Sequence, residues 1–127
     1  MDRCGIDIVE IERIVRLKDK DQWKQRIFSA RELVLAGERG NKDEFFAGRW
    51  AAKEAVAKAL GCGFGKNCSP AEIEVLSDEN RMPVLELSGA AAETAEKLGI
   101  VSWSVSISHE KHYAVAVAIA AAGGNKE

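Results

Sequence analysis

The chain has no Cys-x-x-Cys motif and no apolar run that approaches the ~18 residues of a membrane span. Its three cysteines, Cys4, Cys62 and Cys68, are an odd set without paired metal-ligand spacing, which is most simply read as a reduced, cytoplasmic protein. No charged segment followed by a long apolar stretch opens the chain, so neither secretion nor membrane insertion is expected. An excess of positive charge is missing too. The formal net charge is -2, which argues against a general nucleic-acid binder, since that function calls for a basic domain. Only two histidines occur, and no serine-histidine-aspartate logic is legible around them. Repeats, linkers and low-complexity segments are also absent. What remains is 127 residues, 46% hydrophobic and 30% charged, enough for one soluble domain with a real core and too little for two. The expected domain covers residues 1–122, with 123–127 as a flexible tail.

The small net charge hides an asymmetry. Between Arg13 and Arg26 six basic residues (Arg13, Arg16, Lys18, Lys20, Lys24, Arg26) face two acids, Asp19 and Asp21. Between Ser69 and Gly99 seven acids face Arg81 and Lys97. The first segment reads either as a solvated helix face or as a docking patch for something acidic.

The element pattern is α+β, with helices grouped early and an antiparallel sheet late. Cys4 to Ile11 is a strand, with Ile6 and Ile8 on one side and Asp7 on the other. A short helix follows through Ile11, Ile14, Val15 and Leu17, and Lys18 to Lys24 reads as its end and a loop. Ser29 and Glu32 form a capping-box signature before Leu33. After a polar loop from Gly37 to Asp43, a long helix runs from about Glu44 to Leu60, with Gly61 as its C-terminal cap. Two strands, Ile73–Leu76 and Val84–Leu87, are joined by a turn over residues 78–83. Gly89 to Leu98 is an alanine-rich helix. Val101 to Ile107 alternates with serines, turns at His109–Tyr113 and continues into Val115–Ile119. This last hairpin is expected to have one apolar face and one small-residue face.

The run from Phe45 to Gly65 carries the most information. Its helix is apolar nearly all the way round, so it is expected to be buried on both sides. Its charges, Arg49, Lys53, Glu54 and Lys58, then need partners, which a bound ion or another chain could supply. Asp7 is the second conspicuous carboxylate. Alone it reads as a helix cap completed by Glu10, and Glu54 alone as an i,i+4 pair with Lys58. Together the two suggest a hard cation such as Mg²⁺, which takes one or two carboxylates and fills its other positions with phosphate and water. Lys58, one turn beyond Glu54, would point to the same region. Gly61, Gly63 and Gly65 follow a helix, not a strand, so the run is not a Walker loop. It is a helix cap and turn, or a place where backbone approaches a phosphate. His109 and Lys111 are either surface turn residues or an anion site.

The strand Gly5-Ile-Asp-Ile-Val-Glu10, the helix Phe46-Ala-Gly-Arg-Trp-Ala-Ala-Lys-Glu-Ala55 and the corner Ser106-Ile-Ser-His109 resemble, in order and spacing, three signatures of the holo-[acyl-carrier-protein] synthases. These are the small bacterial 4'-phosphopantetheinyl transferases, and the likeness covers about Gly5 to Ala120. It implies that family's α+β fold, with an antiparallel sheet and a long buried helix in a single domain. It also implies transfer of 4'-phosphopantetheine from coenzyme A to a serine of apo acyl carrier protein, with adenosine 3',5'-bisphosphate as the other product.

By the same likeness, Asp7 and Glu54 match Mg²⁺ ligands, Mn²⁺ being a possible substitute, and Glu54 and Lys58 would be catalytic. Lys58 would hold the pyrophosphate, Gly61, Gly63 and Gly65 would line the coenzyme, and His109 would lie near its 3'-phosphate. The serine proton would go to Glu54 or to a metal-bound water, with a water near Glu54 the better base. Acyl carrier proteins are acidic, and Arg13 matches a docking position for them. Arg16, Lys20, Lys24 and Arg26 are added by charge, and Leu17 and Trp23 as apolar contacts. A homotrimer is implied, with His109 reaching the site from a neighbouring chain. Trp50 stands where phenylalanine is more usual and Arg81 where glycine is frequent, which puts that turn's geometry in question.

Overall fold

The computed structural model describes residues 2–123. Residues 124–127, most of the expected tail, lie outside them. The elements run β1 (Arg3–Glu10), α1 (Ile11–Val15), α2 (Lys20–Ile27), α3 (Ala30–Glu38), α4 (Asp43–Leu60), a 3-10 turn (Pro70–Glu72), β2 (Ile73–Ser77), β3 (Pro83–Leu87), α5 (Gly89–Lys97), β4 (Ile100–His109) and β5 (Tyr113–Ala122).

The antiparallel sheet has the order β1-β5-β4, so the first strand pairs with the last. The β2–β3 hairpin stands as a separate two-stranded sheet. Helix α4 lies across the larger sheet and also packs against β2 and α1. Its interior contains Phe46, Ala51, Ala52, Ala55, Val56 and Leu60, all buried. Small residues on both partners allow the close approach. Ala114, Ala116, Ala118 and Ala120 of β5 are fully buried against it. A side chain at Gly5 of β1 would overlap the carbonyl oxygen of Ala55, so only glycine allows that contact.

Two expectations change. The charged stretch read as a loop is mostly α2, because Trp23 and Ile27, one turn apart, bury an apolar stripe against the core. The β4–β5 hairpin does not divide into an apolar and a small-residue face. Its register sets Val105 opposite Ala118 and Ser106 opposite Val117. Each face therefore mixes large and small residues. Trp103, Val105 and Ile107 join the β5 alanines on the core side, while the serines share the outer face with Val115, Val117 and Ile119. The outer face also carries Ile6 and Ile8, which are 60% and 62% exposed.

Six aromatic residues, three of them from α4, form a continuous chain along that helix. Phe64, Trp50, Trp23, Phe28, Phe46 and Phe45 follow one another with ring centroids 5.2 to 6.0 Å apart.

Candidate active site

Two faces of α4 handle charge in different ways. On one face Lys53 is buried completely. Its ammonium donates to Glu32 Oε1 at 2.9 Å and to the carbonyls of Pro70 and Ile73. Glu32 also accepts from the backbone N–H groups of Ser29 and Val75. Arg49 reaches the Val75 and Leu76 carbonyls and the Ser77 hydroxyl, and lies over the Phe45 ring at 4.5 Å. Burial lowers its pKa to about 10, so it remains a cation at neutral pH. The fold itself supplies the partners of these two charges, and no ion or second chain is needed for them.

The opposite face is open. Asp7 sits in mid-strand, paired across the sheet with Ala116. It is not a helix cap. Glu10 occupies the cap position of α1 and makes no side-chain capping bond. Lys58 does not pair with Glu54 either. Its ammonium donates to Asp7 Oδ1 and to the Ile6 carbonyl, both at 3.0 Å. Glu54 is half-buried and makes no side-chain hydrogen bond among the described residues. Burial raises its pKa, the Asp7 charge adds to that, and Lys58 only partly opposes both. Asp7, Glu54 and Lys58 are therefore brought together. Two carboxylates face one site with only one exposed ammonium to balance them.

The residues present fit a hard divalent cation. Among the described residues no cluster of three or more histidine, cysteine or acidic side chains exists, so a cage made wholly of protein is not available. A pair of carboxylates open on one side is the donor set that Mg²⁺ shares with phosphate and water.

The glycine corner follows directly. Gly61 closes α4 in the left-handed conformation, φ 77°, as a C-terminal cap. Gly63 and Gly65 have no such conformational need, and a side chain at either would meet nothing within 4 Å. Open space lies before this backbone.

His109 is placed elsewhere. It ends β4, exposed, and lines a cavity of about 460 Å³ with Phe45 and Gly48 from the first turns of α4. Glu54 and Lys58 lie on the last turns. At ~1.5 Å per residue, the 13 residue steps from Phe45 to Lys58 span roughly 20 Å. Four further cations, Arg39, Lys42, Arg49 and Arg81, line the same cavity. The sequence reading gave Arg49 a bound ion as one of its partners but passed over Arg39, Lys42 and Arg81 as anion-binding groups. The one available signal was Arg81. It adopts φ 66° in place of a glycine and keeps its turn closed, with its N–H and that of Met82 both bound to Asp78.

The proposed docking residues are in mixed settings. Arg13 and Arg26 are exposed, and Arg16 is exposed but held by Glu12 at 2.7 Å. Lys20 pairs with Asp43 at 3.2 Å and Lys24 lies 4.2 Å above the Phe46 ring. Leu17 and Trp23 are half-buried and pack against the core, so only their edges face solvent.

A fold of this kind, with an open carboxylate pair beside a lysine on one end of a buried helix and a cationic cavity at the other, is suited to handling phosphate esters. A family model, the 4'-phosphopantetheinyl transferase superfamily, matches residues 3–118. The chain belongs to that superfamily and, within it, to the holo-[acyl-carrier-protein] synthases. The holo-[acyl-carrier-protein] synthase of Hydrogenovibrio crunogenus is 44% identical over 118 residues, covering 91% of this chain and 93% of the relative. That of Shewanella amazonensis is 45% identical over 117 residues, covering 91% and 94%. The crystal structure of the Helicobacter pylori holo-[acyl-carrier-protein] synthase in complex with coenzyme A superposes with a TM-score of 0.82 at 35% identity, over 93% of this chain and 99% of that one. The Neisseria meningitidis synthase gives 0.86 at 33%, over 94% and 97%.

Proposed function

We propose that this protein transfers 4'-phosphopantetheine from coenzyme A to a serine hydroxyl of an apo acyl carrier protein, in a Mg²⁺-dependent reaction that releases adenosine 3',5'-bisphosphate. The observation that carries this reading is the Asp7–Glu54–Lys58 group. Two carboxylates converge where the described residues supply a single exposed ammonium as counter-charge. The serine oxygen forms a new bond to the phosphorus that bears pantetheine, and the phosphoanhydride bond to the adenosine half breaks. Such a transfer needs positioning and charge neutralisation more than covalent help.

Asp7 and Glu54 would hold Mg²⁺, which supplies Lewis-acid polarisation of the pyrophosphate when bound. Lys58, 56% exposed and held only at its tip, is free to neutralise the pyrophosphate. A carboxylate that holds a metal ion is a poor base, so a water beside Glu54 is the better acceptor for the serine proton. Gly61, Gly63 and Gly65 line the coenzyme, with open space before the last two. Arg39, Lys42, Arg81 and His109 form a second, separate phosphate site, suited to the 3'-phosphate.

The distance between these two sites on one chain favours a coenzyme held between neighbouring subunits. A homotrimer would also cover Ile6, Ile8 and the 43%-exposed Ile119 on the outer sheet face. Light scattering of a fully active monomer would overturn that assembly. The acidic carrier docks on the basic surface around Arg13, Arg16 and Arg26. Arg13→Glu is expected to raise the KM for carrier protein far more than that for coenzyme A, and equal effects on both would remove the docking role.

The direct test is the intact mass of apo acyl carrier protein after incubation with this protein, coenzyme A and Mg²⁺. A gain of one phosphopantetheine, lost with Glu54→Gln and with a chelator, is the expected result. Coenzyme A bound without transfer would make the protein a binding module. Coenzyme A cleaved without carrier would make it a hydrolase.

A further inference from the structure

In the sequence the three cysteines read only as a sign of a reduced protein, but the fold brings two of them into contact. After Gly61 the chain turns, and the Gly65 N–H donates to the Cys68 carbonyl at 2.8 Å in a single antiparallel bridge. This return sets Cys62 Sγ 3.0 Å from Cys68 Sγ. A disulfide requires ~2.05 Å, so about 1 Å of approach separates the thiols from a bond. Cys4, exposed on β1 opposite Ile119, is not part of the pair.

The two sulfurs differ in access. Cys68 is fully buried and Cys62 is half-buried. Burial pushes the Cys68 thiol up to about 12, and the neighbouring Cys62 sulfur and the Glu72 charge push in the same direction. Cys68 is thus protonated and shielded from solution, whereas a small reagent can reach Cys62. Reactivity toward disulfides follows thiolate character and access.

We propose that Cys62 and Cys68 are a reversible dithiol–disulfide couple, oxidised by low-molecular-weight disulfides that enter at Cys62 and are expelled by Cys68. The Cys62 thiolate attacks one sulfur of the reagent, the reagent's S–S bond breaks, and one small thiol leaves. The resulting mixed disulfide stands beside Cys68. The Cys68 sulfur then attacks Cys62 Sγ, the mixed disulfide breaks, and the second small thiol departs with the Cys68 proton. In all, two cysteine thiols are oxidised and one small disulfide is reduced to two thiols. The bond closes a ring over residues 62–68 and staples the corner that carries Gly63, Phe64 and Gly65. Phe64 is itself seated against Trp50, with ring centroids 5.6 Å apart. This chemistry does not depend on the transferase reading, since it is read from mass and not from turnover.

The test uses the full chain and oxidised glutathione. After exposure, denaturation and alkylation with N-ethylmaleimide, one thiol is expected to be alkylated instead of three, or none where the exposed Cys4 also carries glutathione. A peptide map should link Cys62 to Cys68, and dithiothreitol should restore all three thiols. Cys68→Ser or Cys68→Ala should trap a stable glutathione adduct on Cys62, and Cys62→Ser should leave Cys68 unmodified. Three alkylated thiols after oxidation, a link through Cys4, or an adduct on Cys68 in the Cys62→Ser chain would each overturn the proposal. If the Cys68 variants do not fold, the peptide map of the unsubstituted chain decides alone.

Discussion

Lys53 and Lys58 occupy the same helix and each meets a carboxylate, yet the two pairs have opposite characters. Lys53 and Glu32 have side-chain exposures of 0% and 1%, and every polar atom between them has a partner. Lys58 and Asp7 are 56% and 17% exposed, and the neighbouring Glu54 carboxylate has no hydrogen-bond partner among the described residues. Sequence neighbours are thereby separated: Lys53 points into a closed network and Glu54 into an open one. A closed network can hold a helix in place but has no capacity left for a ligand. An open one contributes little to stability and keeps its charge for something that binds. Like charges held close without compensation are a common mark of a functional site.

The largest effect that could break this contrast is on the closed side. Lys53→Met leaves Glu32 charged, buried and short of its cation, and is expected to cost about 3–5 kcal/mol in denaturant unfolding. Adding Glu32→Gln should recover only part of that. The Ser29 and Val75 N–H groups would still need acceptors, and an amide offers one oxygen where the carboxylate offers two. A loss below ~1 kcal/mol for the single variant would mean that the network is not closed in solution. On the open side, Asp7→Asn should reverse the pattern. Its pair with Lys58 is exposed and worth at most about 1 kcal/mol, and the substitution also relieves repulsion with Glu54. Stability should therefore hold, while kcat/KM for carrier modification falls about 10²-fold or more. Comparable losses in stability and turnover would make Asp7 a structural residue.

The sequence shows the open side better than the closed one. Asp7, Glu54 and Lys58 stand out because each interrupts an apolar pattern, and the resemblance to known signatures joins them. The capping box at Ser29–Glu32 is equally plain, since it is local. The second role of Glu32, as partner of a lysine 21 residues later, is not, because no local pattern records which buried charges will meet. The same limit hid the cationic cavity. Arg39 and Lys42 read as polar loop residues until β4 brings His109 alongside them. Strand alternation predicted the two faces of β4 and of β5 correctly for each strand alone. It could not give the cross-strand register that mixes them. Helix α2 was missed for a different reason, because Trp23 and Ile27 are too few apolar positions to outweigh the charges around them.

Glu72 offers a finer cut, because it is a carboxylate satisfied without any cation. Its oxygens accept from the backbone N–H groups of Ser69, Ala90 and Ala91, bridging the 3-10 turn and the start of α5. Desolvation alone would raise its pKa, but the Ala90, Ser69 and Ala91 N–H groups outweigh that and hold it below the usual carboxylate value. A depressed carboxylate stabilises the fold fully above its ordinary titration range, and the contribution disappears as pH falls through the lower folded-state value. Glu72→Gln is therefore expected to cost about 1–2 kcal/mol at pH 7, in line with the loss of a helix cap. The gap between the two chains should close as the pH is lowered from 7 to below the ordinary carboxylate range. Urea midpoints at the two pH values measure it. A gap that persists in acid would mean that hydrogen-bond geometry, and not charge, fixes this corner. Lys53→Met, by contrast, also strands the Pro70 and Ile73 carbonyls, so part of its deficit is independent of pH, and the comparison separates a carboxylate held by peptide dipoles from a network closed by a buried ammonium.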